Sequence, residues 1–132
     1  MNLEPLIPYD VYMQPFTREE VSLEFASYLI REDHEVRAYY RALEHEARAL
    51  SRFLPKAEPV VEFGSGSGVF ASVAGTSLEI VAVELSRSHA RAALERARKS
   101  GSRASFVVAD ASRPPLTSAG AAVFFHSLRY LR

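Results

Sequence analysis

The chain has 132 residues, 48% apolar and 24% charged, which is enough for one core but short for an enzyme with a separate substrate domain. Sixteen basic residues balance sixteen acidic ones, so no global field gathers nucleic acid or an anionic membrane. The absence of cysteine excludes a disulfide framework, a thiolate metal site and a cysteine nucleophile.

The N-terminus carries no basic-then-apolar signal, and no apolar run approaches the roughly 18–20 residues that span a bilayer. A cytoplasmic protein is the expectation. Asn2 and Gln14 are the sole asparagine and glutamine. Depletion of these labile residues suggests a thermophilic source. The excess of arginine over lysine fits a GC-rich genome equally well.

Residues 1–16 place Pro5, Pro8 and Pro15 among Tyr9, Tyr12 and Phe16, and read as an extended, proline-stiffened arm. In "TREEVSLEFASYLI", Thr17 and Glu20 form a capping-box pattern, and Val21, Phe25 and Leu29 give the following helix an apolar stripe. "DHEVRAYYRALEHEARALSRFLP" is the strongest helical pattern. There Val36, Tyr40, Leu43, Ala47, Leu50 and Leu54 recur at spacings of four and three, with Pro55 just past the end. An arm and helices over residues 1–54 are therefore expected to pack on a core over residues 55–132, as one domain overall.

From residue 58 the period changes. "PVVEF", "EIVAVEL", "SFVVAD" and "AAVFF" have the length and β-rich composition of strands buried on both faces. "GVFASVAG" between the first two is compatible with a short helix. "SRSHARAALERARKSG" reads as a helix that starts after Ser86 or Ser88 and stops at Gly101. Strand alternating with helix is the pattern of a parallel α/β sheet.

The stretch "VVEFGSGSGVF" sets Gly64, Gly66 and Gly68 at alternate positions directly after a strand and before a helix. Glycine loses the most backbone entropy on folding, so such a cluster implies close approach to the backbone, by packing or by a ligand. The next strand ends in Glu84, 16 positions after Gly68, about where a ribose-binding carboxylate stands in a dinucleotide-type site. The alternative reading of Glu84 is an exposed strand-end charge. Glu62 precedes the loop and would repel a pyrophosphate while welcoming a cationic ligand, a sulfonium or an amino group. The alternating glycines also depart from the G-x-G-x-x-G spacing of a nicotinamide site.

These residues resemble class I S-adenosylmethionine-dependent methyltransferases. "VVEFGSGSG" is similar to the family's first motif and "VAVELS" to its second, with Glu84 in the ribose position. "FVVADASRPPL" is similar to the third, where the resemblance puts Asp110 at the adenine amino group and the Ala111 backbone N–H at the ring. "AAVFFHSLRYL" is similar to the fourth strand and the start of the helix after it. Together these stretches span roughly residues 57–132.

The resemblance implies a Rossmann-like three-layer α/β sandwich with a mostly parallel sheet, the strand order 3-2-1-4, and S-adenosylmethionine as cofactor. It puts the methionine portion on Glu62, Gly64, Gly66 and Gly68. His126 falls where some small-molecule members place a general base, although a histidine there can equally be an ordinary helix-start residue. Asp110 can equally cap the turn before "RPP". Position 121, often acidic in the family, is alanine. No Asn/Asp-Pro-Pro-aromatic tetrapeptide of base-amine methylation is present.

The family's sheet continues past its fourth strand, whereas the sequence given ends at Arg132. Strand four is therefore expected to form an edge covered by a second copy in a homodimer, by a partner chain or by the N-terminal helices. The expected activity is methyl transfer to an acceptor that the sequence does not name. The alternative is a non-catalytic cofactor-binding or assembly module working with a partner chain.

Overall fold

The computed structural model describes residues 34–127. The proline-stiffened arm, with Tyr9 and Tyr12, the helix opened by Thr17 and the helix after the fourth strand lie outside the described residues. The long amphipathic pattern folds as helix α1, His34–Ser51. Ala47 is fully buried, with Leu43 close behind, while Leu50 and Leu54 pack against the same core. On its polar side, Arg96 bridges to Glu44 (3.2 Å) and stacks over the Tyr40 ring.

The strand-like runs become β1 (Val60–Phe63), β2 (Ile80–Glu84), β3 (Ser105–Val108) and β4 (Ala121–Val123). They pair in the order β3-β2-β1-β4, every pair parallel. This is a Rossmann-like α/β sheet. Helix α2 (Val69–Ala74) joins β1 to β2, and α3 (Arg87–Lys99) joins β2 to β3. Both units step the same way across the sheet, and right-handed crossovers then place both helices on one face.

Register divides the strand residues between the two faces. Val60 pairs beside Ile80 and Ala121, Ala82 beside Phe106, and Glu62 beside both Ala82 and Val123. Val60, Ile80, Ala82 and Val123 form a buried cluster with Ala47 of α1 and Phe70, Ala71 and Ala74 of α2. The three helices thus share one layer over this face, and α1 closes it above β4. On the opposite face Val61 and Val83 are also buried. Burial on both sides explains why β1 and β2 read as apolar runs interrupted only by Glu62 and Glu84. By contrast, β3 and β4, also expected to be buried on both faces, lie at the edges and are buried at Val123 alone.

The chain steps outward from β1 to β2 to β3 and then returns to lay β4 on the other side of β1. The order reverses between β1 and β4, and the crevice beyond their C-terminal ends is the usual ligand position in an open parallel sheet. The glycine loop leaves β1 at this point, and residues 124–127 leave β4 there. Among the described residues no helix is long and apolar enough to cross a membrane.

Candidate functional site

The loop after β1 holds Gly64, Gly66 and Gly68 at φ of 69°, 51° and 73°. Three left-handed residues in five would strain any other side chain, which accounts for glycine at each position. Backbone hydrogen bonds tie the loop to β2. The Gly64 N–H donates to the Val83 carbonyl (2.8 Å), and the Ser65 N–H reaches the same oxygen (3.3 Å). The Gly66 N–H donates to Glu84 Oε2 (2.7 Å), while the Ser86 N–H donates to Glu84 Oε1 (3.1 Å). Glu84 therefore shapes the loop. It is buried, and burial raises its pKa against the opposing donors, Ser86 first and then Gly66 and Leu85. The carboxylate has four lone-pair positions, more than these donors fill, so the ribose contact implied by resemblance remains chemically open.

Gly68 has a different local duty. A Cβ there would lie 2.6 Å from the Ala93 Cβ of α3, so the third glycine lets α2 and α3 approach.

Glu62 is 1% exposed, and its Oε2 has no hydrogen-bond partner among the described residues. Register points it to the helix-covered face. Burial raises its pKa well above the ordinary carboxylate value, and repulsion from Glu84 adds to that, against a backbone hydrogen bond with Ala71. A positive charge nearby would favour the ionised form of such a carboxyl group. The orphaned oxygen and the acidic pair suit a cationic ligand, and S-adenosylmethionine carries both a sulfonium and an ammonium group. The residues present fit that molecule.

Asp110 lies just past β3, beside the end of β2, where the Ala109 N–H donates to the Glu84 carbonyl (3.1 Å). Its Oδ1 accepts from both the N–H and the Oγ of Ser112, each at 2.8 Å. These bonds, the backbone one first, hold its pKa below the usual value. The carboxylate is exposed and caps its own turn, and half-buried Ala111 follows it. Leu85, Val108 and Phe124, large hydrophobics left 42–50% exposed, lie at the ends of β2, β3 and β4 around the same rim.

His126 follows β4 with φ of 57°, a left-handed conformation. Such a non-glycine residue stores about 1–2 kcal/mol of strain. Its Nε2 meets Glu46 Oε2 of α1 at 2.6 Å, and its ring stands edge-on to Phe125. Next to it, Ser127 Oγ donates to the Phe63 carbonyl (2.6 Å), while Phe124 stacks on Phe63. A pocket of about 440 Å³ opens here between Leu50 of α1, Leu54 just past that helix, and the end of β4. Glu46, Ser127 and the buried Ser65 are site residues that sequence reasoning missed. Ser65 alone carried a signal, its place between two glycines.

His89, in the first turn of α3, is 2% exposed, and burial lowers its pKa from 6.5 to about 4. A depressed histidine contributes stability that is present above 6.5 and lost as pH falls toward 4. Glu62 and Glu84, raised instead, act with the opposite sign. The urea midpoint of His89→Gln is therefore expected to decline less than the wild-type midpoint over that range. An equal decline in both would show that His89 is not what makes the chain acid-labile.

No family model and no curated protein matches the sequence. Several solved structures are similar to part of this chain. A SAM-dependent methyltransferase from Geobacter sulfurreducens, in complex with S-adenosyl-L-homocysteine, is 28% identical at a TM-score of 0.48, over 61% of this chain and 33% of its own. The PH0226 protein from Pyrococcus horikoshii is 27% identical at 0.49, over 64% and 39%. The YjhP protein from E. coli is 22% identical at 0.46, over 55% and 30%. The chain spans about a third of the length of these structures.

Proposed function

We propose, from the geometry of this chain alone, that it binds S-adenosylmethionine and serves as a methyltransferase. The observation that carries the reading is the pair of buried carboxylates, Glu62 and Glu84, at the ends of adjacent central strands around a loop of three left-handed glycines. Two acidic groups there disfavour the pyrophosphate of a dinucleotide and favour a cation. When bound, the cofactor supplies an electrophilic methyl carbon on sulfur.

Gly64 and Gly66 offer bare backbone to the methionine portion, with Glu62 as its counter-charge. Glu84 accepts from a ribose hydroxyl through lone-pair capacity its backbone donors leave free. Asp110 and the Ala111 N–H lie toward the adenine, with Leu85 and Val108 as apolar flanks. Methyl transfer asks the protein mainly for alignment and exclusion of water, which this rim and loop can supply.

Calorimetric titration with S-adenosylhomocysteine tests the reading. Micromolar binding is expected, weakened at least about tenfold by Glu84→Ala, with none for NAD. A folded chain that binds NAD, or that binds neither ligand, would sink it.

One observation favours a second reading. Among the described residues β4 pairs only with β1, so its outer edge is open to another chain. The fold would then act as a cofactor-binding module in a homodimer or with a different partner. Retained S-adenosylhomocysteine binding without methyl transfer to any acceptor would favour the module.

A further inference from the structure

Overall neutrality hides a division of charge within the fold. Along α1 and just past its end, Arg41, His45, Arg48 and Arg52 recur at spacings of four, three and four, on the side away from buried Leu43 and Ala47. Along α3, Arg87, Arg91 and Arg98 recur at spacings of four and seven, away from buried Ala93 and Ala97. All seven side chains are exposed. We propose that these two rows, with Phe53 beside them, form a docking surface for single-stranded nucleic acid, held by its phosphates. The proposal does not rest on the methyl-transfer reading.

The short helix α2 brings the rows onto one surface. Both α1 and α3 pack on it, and it buries every residue except Val73. The outer helices touch through Arg96 of α3, which bridges to Glu44 (3.2 Å) and lies over the Tyr40 ring. Acidic groups here are already engaged, Glu44 by Arg96 and Arg48 and Glu95 by Lys99 (3.1 Å). Arg41, Arg52, Arg87, Arg91 and Arg98 form no ion pair among the described residues.

The other acids lie elsewhere. Glu62 and Glu84 are buried, Glu46 turns to His126, and Asp110 caps its own turn. Glu58 and Glu79 precede β1 and β2 at the opposite end of the sheet from the crevice. A chain of zero net charge thus presents a cationic helix layer.

The chemistry of the rows suits phosphates. Guanidinium groups offer forked donors that match phosphate oxygens. Residues on one helix face stand about 5.4 Å apart per turn, so neighbouring arginines reach neighbouring phosphates of a strand. Phe53, 86% exposed next to Arg52, presents a ring on which an unpaired base can stack. A membrane-binding helix carries several large apolar anchors, whereas the exposed positions of the rows themselves carry none. Arg87, three residues past Glu84, brings the α3 row to the crevice rim.

Fluorescence anisotropy of a labelled RNA strand about 20 nucleotides long tests the surface. Micromolar binding is expected at about 50 mM salt, and log affinity should fall against log salt with a slope of about −3.5 for five contacted phosphates. Arg41→Gln/Arg52→Gln and Arg91→Gln/Arg98→Gln should each lower the affinity at least about tenfold and flatten the slope by about 1.4. Phe53→Ala should cost about five- to tenfold with the slope unchanged, because stacking releases no counterions. Arg113→Gln removes a charge from the loop after β3 and should alter neither quantity. Glutamine keeps helix propensity, so an unchanged urea midpoint shows that each variant is folded.

A wild-type slope shallower than about −1 overturns the proposal. So does a loss in Arg113→Gln as large, per charge removed, as in the helix variants. Equally tight binding of polyglutamate would assign the rows to an acidic polypeptide, and of phosphatidylserine vesicles to a membrane. Either result overturns the nucleic-acid assignment.

Discussion

Replacing Gly68 with alanine is expected to cost about 2–5 kcal/mol of stability, a large share of the roughly 5–15 kcal/mol that holds a domain together. Two penalties combine. The backbone sits at φ 73°, where a Cβ costs about 1–2 kcal/mol. That Cβ would also lie 2.6 Å from the Ala93 Cβ and 3.0 Å from its Cα, and the overlap adds about 1–3 kcal/mol. Neither atom is the end of a flexible side chain, so α3 must move as a body. Urea unfolding checks the magnitude. The double variant Gly68→Ala/Ala93→Gly separates the causes, because it relieves the contact between β-carbons and leaves the backbone penalty. A single-variant loss below about 1 kcal/mol would refute close packing as the reason for this glycine.

Glu62→Gln is expected to change stability and binding in opposite directions. In the wild type, burial and the neighbouring Glu84 raise the Glu62 pKa above its ordinary 4.5. The folded state therefore holds the proton more tightly than the unfolded state. The stability this contributes is full below the ordinary carboxylate range and is lost as pH rises through the raised value. Glutamine keeps the shape and removes the titration. The variant's urea midpoint at neutral pH should exceed the wild-type midpoint, with a shallower decline as pH rises.

Binding should suffer instead. On the methyl-donor reading Glu62 is the counter-charge of a cationic ligand, and removing one member of a buried charge pair costs about 2–5 kcal/mol, roughly 30-fold or more in affinity. Ligand binding should also draw the proton from the wild-type carboxyl. The measured enthalpy then varies with the ionisation enthalpy of the buffer, and this variation should vanish in Glu62→Gln. Equal affinity and equal proton release in the two chains would remove Glu62 from the site.

The helix and strand pattern was legible because its causes are local. Leu43, Ala47 and Leu50 declare one buried helix face by spacing alone, and α1 forms over His34–Ser51, stopping short of Leu54, which the same spacing had included. Short β-branched runs gave the four strands, each within a residue or two of its observed ends. In "AAVFF" pairing stops at Val123 and both phenylalanines leave the sheet for the β4 crevice, Phe124 to stack on Phe63 and Phe125 to pack near Phe70. The turn chemistry of Asp110 was readable too, since its partner Ser112 is two residues away.

The sequence by itself determined which residues are able to be strand ends, loop glycines and the acids beside them, while the burial of those acids came from the tertiary structure. Glu62, Gly64, Gly66 and Glu84 were all identified as a group because motif spacing constrains the β1–α2–β2 unit. Only the tertiary structure decided what these groups touch. The Gly66 N–H finds Glu84, Gly68 faces Ala93, and Glu46 meets His126. These contacts follow from strand order and from the helical layer over one face. Both are fixed by burying apolar area across the whole chain, and no local run of residues records which distant partner that burial will bring near.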